Sequence, residues 1–345
     1  MKAFVLAAGI GTRLRPLTTD VPKTMVPILG KPALYYTFLH LLKYGFNSAC
    51  VNVHYRSEVI TNYFKNNKLG IDLKFSHEQK LLGTAGAIKK NESFFDETFV
   101  VMSGDGLTDI NLKKALEFHR QKKSIATIVL KKIDLRFEYG IAVTDKTGQI
   151  KSFVEKPYWG DVFNDEVNTG IYIFEPRIFD FIPKDKFFDF SKDLFPLLMQ
   201  KREKIYGYCM DEYWTDIGNI FEYKKGIFDV LDGKVKIDLD IDKNSGDKYI
   251  SSSAKIDKTA KIQGPCYIGD KVVIKAGANI KPYSVISSNV KIGENSLIEK
   301  AVIWEAAKIG ENVKLINTIV GSNILITNQI TLFDSIIMEE KTVIA

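Results

Sequence analysis

The chain has 345 residues, 45% hydrophobic, 12% aromatic and 26% charged, and its 48 Lys and Arg against 42 Asp and Glu leave a formal charge of +6. These values belong to an ordinary folded protein long enough for two domains, and they exclude a disordered, collagen-like or fibrous chain. The mild positive charge suits an anionic small molecule without requiring nucleic acid, and no apolar run approaches the ~20 residues of a membrane span. Cys50, Cys209 and Cys266 are few, far apart and without CxxC spacing. That usage points to a reducing, cytoplasmic setting with neither disulfides nor a zinc knuckle.

In chain order, residues 3–7 are a short apolar run that predicts a strand. The Gly- and Arg-containing stretch that follows it at once argues against a signal peptide. Helical spacing over 32–44, ended by Gly45, predicts a helix. Strands at 49–53, 71–75, 98–102 and 125–130 then alternate with helices at 57–65 and 84–90 and with one that Asn111 caps and that runs to about Lys122. Such alternation predicts a Rossmann-like, mostly parallel sheet covered by helices, with ligands outside the carboxyl ends of its strands. Residues 232–250, charged and Gly-containing, read as a connector between domains at 1–231 and 251–345. Beyond it, Ile256, Ile262, Ile268, Ile274, Ile280, Ile286, Ile292 and Ile298 recur every six residues, and Val320, Ile326, Leu332 and Met338 form a second register. Neither a helix nor an ordinary sheet repeats at six; hexapeptide coils of a left-handed parallel β-helix do. The break between Ile298 and Ile309 marks an irregular corner.

The first strand runs into Leu6-Ala7-Ala8-Gly9-Ile10-Gly11-Thr12-Arg13-Leu14-Arg15-Pro16-Leu17-Thr18, and Pro22-Lys23-Thr24-Met25 follows. Gly9 and Gly11 lack Cβ atoms, so backbone N–H groups there can approach a phosphate. Arg13 offers a rigid fork to phosphate oxygens and Lys23 a mobile point charge. Leu14 stands where a dinucleotide loop needs its third glycine, and no GK[ST] follows for a Walker loop. Phe99-Val100-Val101-Met102-Ser103-Gly104-Asp105 is an apolar strand ending in a carboxylate, the place for a metal ligand in an α/β sheet or, more blandly, for a turn or cap. A second carboxylate lies in Tyr213-Trp214-Thr215-Asp216.

At these residues the chain resembles the sugar-1-phosphate nucleotidyltransferases, whose signature G-x-G-T-R-L-x-P-L-T…P-K-x-[ML]…K-P it matches throughout residues 9–32. The resemblance implies that Leu6, Ala8, Gly9, Gly11, Thr12 and Arg13 hold a nucleoside triphosphate, with Arg13 and Lys23 as the catalytic phosphate contacts. It implies that Asp105 and Asp216 share one Mg²⁺, with Asp109 and Asp211 as solvated or capping neighbours. Lys156 would bind the phosphate of a sugar 1-phosphate, Glu155 and Asn168 its hydroxyls, with Thr169 and the backbone at Gly140 beside them. Glu78, Gly83 and Thr84 would meet the base. Thymidylyl- and uridylyltransferases of the family carry Gln where this chain has Glu78. Two carboxylate acceptors match the two adjacent donors of guanine and argue for GTP, unless Gln79 takes the role through a one-residue slip.

The chain looks most like bacterial mannose-1-phosphate guanylyltransferases, which makes mannose 1-phosphate the favoured acceptor. Heptose 1-phosphate, or thymidylyl or uridylyl transfer to glucose 1-phosphate, are the alternatives. A hexapeptide acetyltransferase would need a His base, and His40, His54, His77 and His119 all precede the coils. A non-catalytic regulatory relative would have lost Arg13, Lys23, Asp105 or Asp216. The coils are then expected to serve assembly of a homo-oligomer, and deletion of residues 251–345 to leave some transfer activity. No nucleic acid and no membrane is expected.

Overall fold

The computed structural model describes residues 1–133, 141–154, 166–241, 243–244, 246–338 and 342–343. Contacts divide the chain into a first unit of residues 1–12, 20–25 and 33–218 and a second of residues 13–19, 26–32 and 219–345.

The first unit is built on parallel strands β1 (Lys2–Leu6), β2 (Ser48–Val53), β3 (Asp72–His77) and β4 (Phe99–Ser103), joined through α1 (Ala33–Lys43), α2 (Ser57–Asn66) and α3 (Gly83–Lys90). β1 lies between β4 and β2, and Ala3, Phe4, Val5, Val100 and Val101 are 0% exposed. Strands covered on both faces require the continuous apolar runs seen in the sequence. α1 ends as expected at Gly45, whose φ of 79° lets the Phe46 N–H return to the Leu41 carbonyl at 3.1 Å.

A short strand, β5 (Gly106–Thr108), leads to α4 (Leu112–Lys122), whose Lys114 N–H donates to Asn111 Oδ1 at 3.1 Å. Next come β6 (Ala126–Lys132), β7 (Ile141–Thr144), β8 (Ile150–Val154), β9 (Glu166–Phe174), α5 (Phe195–Gln200), β10 (Ile205–Met210) and β11 (Trp214–Asp216). The nine-stranded sheet runs β8-β7-β9-β4-β1-β2-β3, with β6 on β9 and β10 on β6. β9 is antiparallel to β4, so the sheet is parallel on one side and mixed on the other.

The second unit holds three long sheets of two- and three-residue strands, parallel throughout except where Lys243–Asn244 pairs antiparallel at one edge, the architecture of a β-helix. One stack of inward side chains is Ile250, Ile268, Ile286, Ile303, Val320 and Ile337. Coils are 18 residues long up to Ile286 and 17 thereafter. The lost residue always falls at one corner, between Ile298 and Ile303, Leu315 and Val320, and Leu332 and Ile337. Ile337, not Met338, therefore continues the stack. Corners need left-handed backbone, and Asn289, Asn295, Asn312, Asn317 and Asn323 supply it at φ of 53–63°. Within the segment read from sequence as a connector, Lys248–Ile250 already pairs with Cys266–Ile268, so the coils begin there.

A sixth helix, α6 (Ile220–Leu231), belongs to this second unit. Its Tyr223, 0% exposed, donates its hydroxyl to the Pro27 carbonyl at 2.7 Å and accepts from Trp304 Nε1 at 3.1 Å. A Cβ at Gly30 would stand 3.0 Å from the Tyr267 hydroxyl.

Candidate functional site

β1 and β4 end side by side, and the Gly104 N–H donates to the Leu6 carbonyl at 2.9 Å. Next to them opens a cavity of about 270 Å³, lined by Leu6, Ala8, Gly9, Lys23, Glu78, Gly83, Thr84 and Asp105 among the residues expected from sequence. An added Cβ at Gly9 would meet nothing within 4 Å, so no packing inside the protein demands glycine there; Gly11, at φ 72°, needs it for its backbone.

Asp105 and Asp216 are far apart in sequence and are brought together by a two-stranded ribbon. β11 runs antiparallel to β5, which sets Asp216 opposite Gly106, and the Ile217 N–H donates to the Asp105 carbonyl at 3.1 Å. The Lys23 ammonium bridges the pair, contacting Asp105 Oδ2 and lying 2.9 Å from Asp216 Oδ1. The Ser103 hydroxyl donates to the other oxygen of Asp105. Burial alone would lower the pKa of Lys23 and raise that of Asp105. The ion pairs outweigh it in both, holding Lys23 above and Asp105 below their ordinary values.

Glu78, 5% exposed, sits at the other wall in a chain of hydrogen bonds. The Ala7 N–H donates to Asn52 Oδ1 at 2.9 Å, and Asn52 Nδ2 donates to Glu78 Oε1 at 2.8 Å. Glu78 Oε2 accepts from the Leu82 N–H at 3.0 Å. Both carboxylate oxygens thus already hold one donor each, and each keeps a second lone pair. The 82–86 turn is pinned from outside. The Phe188 carbonyl accepts from the Ala85 and Gly86 N–H groups at 2.9 and 3.0 Å, and the Phe188 N–H donates to the Leu82 carbonyl at 2.8 Å. A Cβ on Gly83 would lie 2.6 Å from the Phe188 carbonyl oxygen. Thr84 donates to Asp189 Oδ2 at 2.9 Å and accepts from the Phe190 N–H at 2.7 Å.

The remaining expected residues stand elsewhere. Thr12 and Arg13 form the start of the 3-10 turn Thr12–Leu14, and Arg13 falls in the second unit. Asn168 and Thr169 lie on β9 and do not line the cavity. Asn168 Nδ2 donates to the Tyr172 hydroxyl at 2.9 Å, and the buried Thr169 hydroxyl donates to the Val129 carbonyl at 2.8 Å. Gly140, Glu155 and Lys156 lie outside the described residues. Sequence reasoning missed Asn52, Ser103, Phe187 and Asp189, all at the cavity. Asn52 had a signal, being the one polar residue in the run Ala49-Cys50-Val51-Asn52-Val53.

Among the described residues no group of three or more His, Cys, Asp or Glu is placed to hold a metal ion, and no helix is long and apolar enough to cross a membrane. Two carboxylates that one cation already bridges do fit a magnesium-type ion, which takes one or two protein carboxylates and completes its shell with phosphates and water.

The family described as Nucleotidyl transferase matches residues 2–232, and the EIF2B subunit epsilon LbH domain matches residues 245–345. A UTP–glucose-1-phosphate uridylyltransferase of Synechocystis sp. is 38% identical over 93% of this chain and 87% of its own. Mannose-1-phosphate guanylyltransferase 1 of Arabidopsis thaliana is 29% identical over 99% of this chain and 97% of its own. The crystal structure of HddC from Yersinia pseudotuberculosis complexed with GMP-PN superposes with a TM-score of 0.58 at 30% identity, covering 66% of this chain and 97% of HddC.

Proposed function

The chain belongs to the nucleotidyl transferase family, and from that membership we propose that it transfers a nucleotidyl group from GTP to a sugar 1-phosphate, mannose 1-phosphate first, releasing pyrophosphate. The observation that carries the reading is the convergence of Lys23, Asp105 and Asp216 beside the open Gly9 loop. The acceptor's phosphate oxygen is already an anion and attacks the α-phosphorus without a general base. The protein's part is positioning and charge neutralisation. Lys23, and Arg13 by resemblance, hold the triphosphate, while the backbone at Gly9 approaches it. Asp105 and Asp216 would hold Mg²⁺, which when bound neutralises phosphate charge as pyrophosphate departs. Lys156 and Glu155 are assigned to the sugar phosphate by resemblance alone. We place the reaction in the cytoplasm and give the coils a role in self-assembly.

Guanine is supported by the acceptor character of Glu78 and by the GMP-PN complex of HddC. A second reading, UTP, is favoured by the Synechocystis relative and by the two donors that Glu78 already holds. Pyrophosphate release from four nucleoside triphosphates, each against several sugar 1-phosphates, decides between them. Inactivity with all of them defeats the reaction itself.

Glu78→Gln sharpens the choice. Its amide nitrogen must face a donor, whether Asn52 Nδ2, the Leu82 N–H or guanine. The kcat/KM ratio of GTP over UTP is expected to fall by about 5- to 150-fold. A ratio within twofold of the unmutated enzyme, in a variant that a thermal melt shows to be folded at the assay temperature, assigns base choice to other groups.

A further inference from the structure

Phe187 is an aromatic side chain 64% exposed, yet it sits on a backbone with little freedom. Phe188 beside it is fixed through both its N–H and its carbonyl to the 82–86 turn, and it packs inward against the core. On the other side, a Cβ at Gly86 would come 2.7 Å from the Lys186 carbonyl. The segment therefore crosses the start of α3 at close quarters and turns alternate residues in opposite senses. Phe188 goes to the core, and Phe187 goes to the cavity, which it lines with Leu81, Glu78 and Gly83. Leu81 is itself 38% exposed. Two exposed apolar side chains thus accompany one buried carboxylate among the residues that line the cavity. Lys23 and Asp105 line the same cavity, and Asp216 joins them through its ion pair with Lys23.

A nucleobase has this same division, with a polar edge and two apolar faces. The edge needs donors or acceptors, and the faces need flat or aliphatic surface. Exposed aromatic area that a fixed backbone holds over a polar-edged cavity is the complement of such a ring. We propose that Phe187 is the stacking platform for the base of the nucleoside triphosphate, with Leu81 as the second apolar contact. The inference rests on the nucleotidyl-transfer reading and concerns only how the donor is held.

Phe187→Ala removes a side chain that supports no core packing, so folding is not at stake. The expected result is a rise of about 5- to 30-fold in KM for the nucleoside triphosphate, with KM for the sugar 1-phosphate within twofold. Phe187→Trp should hold the donor KM within about threefold of the unmutated enzyme, since indole also stacks. Its added fluorescence, measured against the three native tryptophans, should change on titration with the nucleoside triphosphate and stay flat with inorganic tripolyphosphate. An unchanged donor KM in Phe187→Ala, a rise confined to the sugar 1-phosphate, or equal response of Phe187→Trp to tripolyphosphate overturns the proposal. Pyrophosphate release by the unmutated chain is read in the same series, so failure of the reaction and failure of the platform are separate results.

Discussion

Asp105→Asn is expected to lower kcat by about a thousandfold or more while the fold survives, and Asp216→Asn to do nearly the same. Removing one preorganised group that stabilises developing charge costs about 10²–10³ in rate, and each of these carboxylates serves twice. Each neutralises Lys23, whose side chain is 12% exposed, and under the proposed function each would also help to hold Mg²⁺. An amide keeps the size but loses the charge and the affinity for a hard cation. Folding should persist because Lys23 keeps one carboxylate partner in either variant, and the β5–β11 ribbon is held by main-chain pairing. Turnover against Mg²⁺ concentration, alongside a thermal melt, measures both statements. A variant with the unmutated enzyme's Mg²⁺ dependence and rate removes that aspartate from the metal role.

Truncation at residue 250 should be nearly as damaging, the reverse of what the sequence-based domain division implies. The segments 13–19 and 26–32 and helix α6 lie within the second unit. Deleting the coils strips Trp304 from Tyr223 and Tyr267 from the Gly30 turn. Uncovering Tyr223 alone costs about 1.5–3 kcal/mol, enough to lower Tm by about 5 °C or more. Arg13 belongs to the same unit as the deleted coils. The fragment should keep the circular-dichroism signal of the nine-stranded sheet, melt early and release no pyrophosphate. A cooperative melt at the full chain's Tm with activity within tenfold would show that these segments hold without the coils.

The elements that sequence made legible are those specified locally. Apolar runs marked β1, β2 and β4, Gly45 ended α1, Asn111 capped α4, and period-six isoleucines announced the coils. What escaped depends on partners distant in the chain. Nothing near Lys23 foretells that its ammonium closes on Asp105 and Asp216, because the ribbon that aligns them joins strands about a hundred residues apart. Phe187 reads as one of several aromatics until the pinning of Phe188 fixes which way it faces. The corner of the β-helix was visible as a break in period. Its five-residue step was not, since Ile337 and Met338 are equally apolar and only sheet pairing chooses between them.

The Ala7–Asn52–Glu78 chain carries a consequence for how this site diverges over evolution. The Asn52 amide is oriented at both ends, its oxygen by the Ala7 N–H and its nitrogen by Glu78. A lineage that exchanges Glu78 for Gln must turn the new amide oxygen toward Asn52, which sets its nitrogen against the Leu82 N–H. Turning it the other way flips Asn52 and orphans Ala7. Either route leaves a buried donor facing a donor until a second change relieves it. The exchange at 78 alone thus costs a buried hydrogen bond, which a second change at position 52 or in the turn at 82 would restore.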